Sequence, residues 1–151
     1  MNTLTYLLKK YPDKDWDWYY ISKNPNITMD IIEKYTDKSW NWTWISQNPN
    51  LTMEFIEKHP DKNWMWHDIS CNPNLTMDII EKYHDKPWNW VWISQNPNIT
   101  IRFIENYPNK KWDWRRISQN TNITMEIIEK YPDNLGIGVG YLEIQISRWK
   151  I

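Results

Sequence analysis

The groups in this sequence that could act as bases, nucleophiles or metal ligands are three histidines, one cysteine and a scatter of carboxylates, and their spacing keeps them apart. His59 stands where other copies of a repeated segment carry tyrosine, and His84 where several carry proline; only His67 sits at a variable position. His67 and Asp68 are adjacent, so on a helix they diverge and do not address one atom. Cys71, four residues beyond His67, offers at best a second ligand, whereas a zinc site converges about four. The acidic residues recur in helix first turns, which gives paired-carboxylate hydrolysis no geometry. Gly136, Gly138 and Gly140 have a GxGxG spacing, but no strand-to-helix junction accompanies it, and there is no phosphate loop or nucleophile elbow. These residues predict no catalytic site, no metal and no cofactor.

The chemistry that recurs is aromatic. Tryptophans at Trp16, Trp40, Trp64, Trp88 and Trp112 are 24 residues apart, each followed two positions later by Trp18, Trp42, Trp66, Trp90 or Trp114. The stretch Ser39 to Lys62 is one copy of the repeated wording. An insertion between copies would break the register, so the copies share one backbone shape and stack as solenoid units do. The 13 Trp and 9 Tyr, against only 2 Phe, bury large areas with few rotatable bonds, which short units need.

Each unit divides into two helices. Ile27, Ile31, Ile32 and Tyr35 form an apolar stripe with Thr28 as the expected N-cap, and Asp30–Lys34, Glu54–Lys58, Asp78–Lys82 and Glu126–Lys130 are favourable i, i+4 pairs. Pro12, Pro60, Pro108 and Pro132 follow the helix ends, although Thr36 and His84 take the same place elsewhere. The second helix is expected to run from about Trp40 to Ser46 over roughly two turns, apolar over a wide arc, although the Trp-x-Trp alternation also fits a strand. The turn Asn48-Pro49-Asn50 then reverses the chain. Asn-x-Thr at Asn26, Asn41, Asn50, Asn74, Asn98 and Asn122 matches the glycosylation pattern, and is read as turn and cap chemistry.

The fold class expected is therefore all-α: a short solenoid of helix-turn-helix repeats over residues 1–134, opened by a capping helix with Leu4, Leu7, Leu8 and Tyr11 on one face and Thr3 as cap. Residues 135–151 form a divergent tail, in which Leu142, Ile144 and Ile146 alternate as in a strand, while a helical reading puts Tyr141, Gln145 and Trp149 on one face. Leu142, Ile144, Ile146 and Trp149 are the candidates for self-association into a homodimer; the other role open to the tail is a cap on the last repeat.

Binding candidates come from variation between copies, because positions the fold demands stay constant. One helical position reads Tyr19, Thr43, His67, Val91 and Arg115, and the next Tyr20, Trp44, Asp68, Trp92 and Arg116. Of these, Tyr19, Tyr20, Trp44, His67, Asp68, Trp92, Arg115 and Arg116 are the protein-binding candidates, rich in the side chains that dominate interaction hot spots. Lys plus Arg total 18 against 19 Asp plus Glu, a formal charge of −1, which argues against nucleic-acid binding by the whole surface. A basic cluster of Arg102, Lys110, Lys111, Arg115 and Arg116 keeps a local nucleic-acid site as an alternative. A single cysteine fits a reducing compartment, and no apolar run has the length of a signal peptide or membrane span, so an unsecreted protein without a membrane partner is expected.

The wording from Ile45 to His59, the Asn-Pro-Asn turns, the helix ends Ile56-Glu57-Lys58-His59 and Ile80-Glu81-Lys82-Tyr83, and the Trp-x-Trp openings resemble tandem-repeat proteins encoded in many copies by giant DNA viruses of amoebae. The resemblance covers residues 12–133. It implies a viral origin and a repeat scaffold, and transfers no site, because that group has no assigned activity. The expectation it supports is a noncatalytic scaffold recruiting a viral or host protein in the host cytoplasm or viral factory, with nucleus and virion as alternatives, or a structural component that self-associates.

Overall fold

The computed structural model of the chain describes residues 3–120, 130–132 and 134. Among them the protein is all-α, a solenoid of 24-residue helix-turn-helix repeats with ten helices and no strand. The strand reading of the Trp-x-Trp segments is thereby excluded, whereas Leu142, Ile144, Ile146 and Trp149 lie outside the described residues. The chain divides into two compact units, Met1–Asn89 and Trp90–Ile151.

Unit 1 holds α1 (Thr3–Lys10), α2 (Trp18–Ser22), α3 (Met29–Lys34), α4 (Trp42–Ser46), α5 (Met53–Lys58), α6 (Trp66–Ile69) and α7 (Met77–Lys82). Unit 2 holds α8 (Trp90–Ile93), α9 (Ile101–Asn106) and α10 (Trp114–Ile117). After α1, tryptophan helices of four or five residues alternate with six-residue helices. These are a turn or so each, shorter than the two turns expected. Helices of this length have no independent stability, so packing between repeats must hold them.

The apolar stripe of each longer helix forms the core: Ile31 and Ile32, Phe55 and Ile56, Ile79 and Ile80, Phe103 and Ile104 are buried. Ile45, Ile69, Ile93 and Ile117 seal it from the tryptophan helices, with Ile27, Leu51, Leu75 and Ile99 from the turns, all at 0 % exposure. In α1 only Leu8 is buried; Tyr11 is exposed, and Thr3 lies within the helix rather than capping it.

The longer helices end alike whether or not proline follows. Tyr35 (φ −117°, ψ 52°) and Tyr83 (φ −109°, ψ 42°), followed by Thr36 and His84, leave helical geometry as His59 does (φ −127°, ψ 56°) before Pro60. The common cause is the next tryptophan. Trp40 Nε1 donates to Tyr35 O at 2.8 Å, Trp64 Nε1 to His59 O at 2.8 Å, Trp88 Nε1 to Tyr83 O at 2.8 Å and Trp112 Nε1 to Tyr107 O at 2.9 Å. The indole satisfies a carbonyl that the helix end leaves open.

The first tryptophan of each pair is therefore not on a helix, which corrects the expected start at Trp40. α4 begins at Trp42, and the residue between the tryptophans is its N-cap: Asn41 accepts from Trp44 N at 3.2 Å. Asp17 likewise accepts from Tyr19 N at 3.0 Å and Asp113 from Arg116 N at 3.1 Å, while Met65 offers no acceptor. Thr52 and Thr100 cap the longer helices through Phe55 N and Phe103 N, both at 3.2 Å, whereas Thr28 and Thr76 hold the cap position without a side-chain bond.

Candidate interaction surfaces

Two sets of side chains on the tryptophan helices behave differently: one is sewn into the seam between repeats, the other faces outward. At the seam, the serine ending the tryptophan helix is buried at Ser22, Ser46, Ser70 and Ser94 and serves two repeats, whereas Ser118 is exposed and donates to Arg115 O at 2.8 Å. Ser46 Oγ donates to Trp42 O at 2.7 Å and accepts from Met65 N at 3.0 Å; Ser22 does the same with Trp18 O and Asn41 N, and Ser70 with Trp66 O and Asn89 N. In unit 2, Ser94 joins Trp90 O to Asp113 N.

The Asn-Pro-Asn turn adds a second line of bonds. Asn72 Oδ1 accepts from Asn74 N at 2.8 Å, closing the turn, while its Nδ2 donates to Asn48 O at 3.2 Å and Leu51 O at 3.3 Å in the preceding repeat. Asn48 reaches Asn24 O at 3.3 Å, and in unit 2 Asn120 reaches Asn96 O at 2.7 Å. The second asparagine of the turn works alongside: Asn50 Nδ2 donates to Pro25 O and Ile27 O, and Asn74 Nδ2 to Pro49 O and Leu51 O. The Asn-x-Thr pattern is thus structural at these sites, its amides spent on backbone carbonyls.

Rings close the seam. The second tryptophan of one repeat meets the first of the next edge-on, Trp18 with Trp40 at 4.9 Å, Trp42 with Trp64 at 5.2 Å, Trp66 with Trp88 at 5.0 Å and Trp90 with Trp112 at 5.0 Å. A turn lysine then lies over the second ring: Lys38 on Trp18, Lys62 on Trp42, Lys86 on Trp66 and Lys110 on Trp90, at 5.0–6.0 Å. Lys38, Lys62 and Lys86 also bond Asp37, Asp61 and Asp85, and these hydrogen bonds hold the three carboxyls below their ordinary value.

On the outward side Tyr19, Tyr20, Thr43, His67, Val91 and Arg115 are exposed, Tyr20 at 68 %. The second variable position is half-buried beyond Tyr20, and Trp44, Asp68 and Arg116 each pair with a polar side chain 21 residues back. Lys23 Nζ lies 4.7 Å from the Trp44 ring, Gln47 Nε2 donates to Asp68 Oδ2 at 3.0 Å, and Arg116 donates to Gln95 Oε1. Arg116 is further held by Asp113 Oδ2 at 3.0 Å and by the Trp92 ring at 4.5 Å. A glutamine donates to Asp68 and accepts from Arg116, so the position changes while an inter-repeat pair is kept, a coupling that no single copy reveals.

His67 Nδ1 lies 3.4 Å from Asp68 Oδ1 and its Nε2 2.7 Å from Asn89 Nδ2, a surface network with His67 at 62 % side-chain exposure. No group of three metal-ligating side chains comes together among the described residues. Among the basic candidates, Lys110 is spent on Trp90 and Arg116 on Asp113, whereas Lys111 and Arg115 line one cavity together with Val91. Arg102 is exposed on α9 and does not line that cavity.

The longer helices carry a separate charge pattern. Glu54 and Lys58 pair within α5 at 3.1 Å, as expected, and that hydrogen bond raises the Lys58 pKa. Lys82, however, bonds Glu57 of the preceding repeat at 2.6 Å rather than Asp78; Lys130 bonds Glu105, and its expected partner Glu126 lies outside the described residues. The Glu57 bond raises the Lys82 pKa. Lys58, Lys82 and Lys130 are more than half exposed and screened by water, so these pairs add little to stability. No helix among the described residues is long and apolar enough to cross a membrane.

Compared with protein-family models, with curated proteins and with solved structures, the chain matches none.

Proposed function

We propose that the protein is a noncatalytic repeat scaffold that binds another protein, viral or host, through the variable side chains of its tryptophan helices. The observation that carries this reading is a contrast within each unit. Ser22, Ser46 and Ser70 repeat one set of buried bonds, while Tyr19, Tyr20, His67 and Arg115 stand exposed with chemistry that changes from copy to copy. Tyrosine and arginine supply a large share of binding energy where they are exposed on a rigid support. The resemblance to giant-virus repeat proteins supports a viral origin for such a scaffold.

Affinity capture from infected amoebal cells tests the proposal. Replacing Tyr19, Tyr20, His67 and Arg115 together by alanine is expected to leave helicity and melting unchanged while removing the captured partner; undiminished recovery counts against it. The nucleic-acid reading draws on Lys111 and Arg115 lining one cavity. It predicts a salt-dependent mobility shift with single- or double-stranded probes, and no shift at low salt would remove it.

A further inference from the structure

The residue between the paired tryptophans reads Asp17, Asn41, Met65, Asn89 and Asp113, so only the first and last copies place a carboxylate there. In unit 2 both oxygens of that carboxylate are occupied. Asp113 Oδ1 accepts from Arg116 N at 3.1 Å and Oδ2 from Arg116 Nε at 3.0 Å, and the same guanidinium lies over the Trp92 ring at 4.5 Å. The chain itself thus shows an arginine held at this position, with a carboxylate at the edge of the guanidinium and a ring against its face.

In unit 1 the carboxylate and the rings are present without the cation. Asp17 Oδ1 accepts from Tyr19 N at 3.0 Å and from Tyr20 N at 3.2 Å, which fixes the group, while its Oδ2 makes no hydrogen bond among the described residues. Tyr20 stands where the last copy has Arg116. Tyr19 is 48 % exposed and Tyr20 68 %; their rings meet edge-on at 5.4 Å, and Tyr19 meets Trp44 at 6.3 Å. Lys23 lies on the Trp44 ring at 4.7 Å, but no cation lies over Tyr19 or Tyr20 among the described residues. Asp13 and Asp15 are exposed and make no ion pair among the described residues, and Lys14 between them lies over Trp16 at 5.3 Å. Open rings beside unneutralised carboxylates complement a cation.

We infer that Asp17, Tyr19 and Tyr20 dock an arginine within a basic segment of a partner protein. Its guanidinium donates to Asp17 Oδ2 and lies against the tyrosine rings, while flanking cations meet Asp13 and Asp15. The inference rests on the scaffold reading and names the chemistry of the partner at this copy of the repeat.

The test is fluorescence anisotropy of a labelled synthetic peptide, Gly-Arg-Gly-Arg-Gly-Arg, titrated with the full chain at low and physiological salt. Saturable binding is expected, weaker at higher salt, about fivefold weaker or more with lysine in place of each arginine, and absent with glutamate there. Asp17→Asn keeps an acceptor for the Tyr19 and Tyr20 amides, as Asn41 does for Trp44 N, and removes only the charge. That variant and Tyr20→Ala are each expected to weaken binding about fivefold or more, with circular dichroism unchanged. Absence of saturable binding, equal binding of the lysine peptide, or binding indifferent to either substitution overturns the inference. So does self-association that Asp17→Asn abolishes, since a second copy would then fill the site. If this inference alone fails, alanine at Tyr19, Tyr20, His67 and Arg115 together still removes the captured partner; if the scaffold reading fails, recovery is undiminished.

Discussion

Ser46 and Ser70 make the same two bonds in adjacent repeats, whereas Trp44 and Asp68, only two residues before them, do entirely different things. The seam and the outward ladder share the same short helices, so helix propensity does not separate them. What separates them is the kind of partner. Seam side chains bond to backbone atoms, which every repeat presents identically, and only one side chain of the right reach and polarity serves. Ladder side chains bond to other side chains, so a change at Asp68 or Arg116 can be met by a change at Gln47 or Gln95.

The comparison is broken most severely by removing a ring from the seam. Trp64→Ala deletes the edge contact with Trp42 and the bond to His59 O, and is expected to cost about 4 kcal/mol, read by chemical denaturation. Asn72→Leu keeps a similar volume but removes the acceptor of the Asn74 amide and one of the two donors that reach each of Asn48 O and Leu51 O. A loss of about 3 kcal/mol is expected, and a loss under half of that would mean water replaces the asparagine. Ser70→Ala removes the acceptor of the half-buried Asn89 amide and should lower stability by about 1–2 kcal/mol, with faster hydrogen exchange at that amide as the local readout.

A gain is expected where one copy departs from the others. His59 Nε2 is buried without a hydrogen-bond partner, at the place where Tyr35 reaches across to Leu8 O at 3.3 Å. His59→Tyr should raise the melting temperature, by about 1 kcal/mol of stability, if the longer side chain finds the corresponding carbonyl. The smallest effect belongs to the ladder: Tyr20→Ala should move stability by no more than about 0.5 kcal/mol, and a larger change would show that Tyr20 is structural.

Much of the fold was legible because its signals are local. The period of the tryptophans, the stripe Ile27, Ile31, Ile32 and Tyr35, and the Asn-Pro-Asn turns each lie within a window where spacing has one interpretation. The tryptophan helix was misplaced by two residues because Trp40, Trp42 and Trp44 look equally helical by composition; the Asp or Asn between the tryptophans at 17, 41 and 113 was the available cap signal. Of the expected lysine pairs Glu54–Lys58 forms, Glu126 lies outside the described residues, and Lys82 takes another partner for a related reason. Four-residue spacing marks Asp78 for Lys82, but the stacked repeat brings Glu57 close as well.

The candidate ladder was legible only as variation, which identifies positions without their surroundings. Tyr19, Tyr20, His67 and Arg115 are exposed, while Trp44, Asp68, Trp92 and Arg116 are half-buried. The lysines over the second tryptophans escaped notice because each belongs to a turn whose Asp-Lys wording is explained by turn chemistry alone.

By itself the sequence determined the repeat length, the alternation of two helices and the identity of the apolar stripe, because these follow from backbone periodicity over a few residues. Tertiary structure alone decided which tryptophan of each pair is buried outside the helix, which carbonyl its indole satisfies, and which polar residues bind repeat to repeat. Those bonds join residues 19 to 25 apart, as from Ser46 to Met65 and from Asn74 to Pro49, and they exist only once neighbouring repeats stack. Until then each such serine or asparagine reads as an ordinary turn residue.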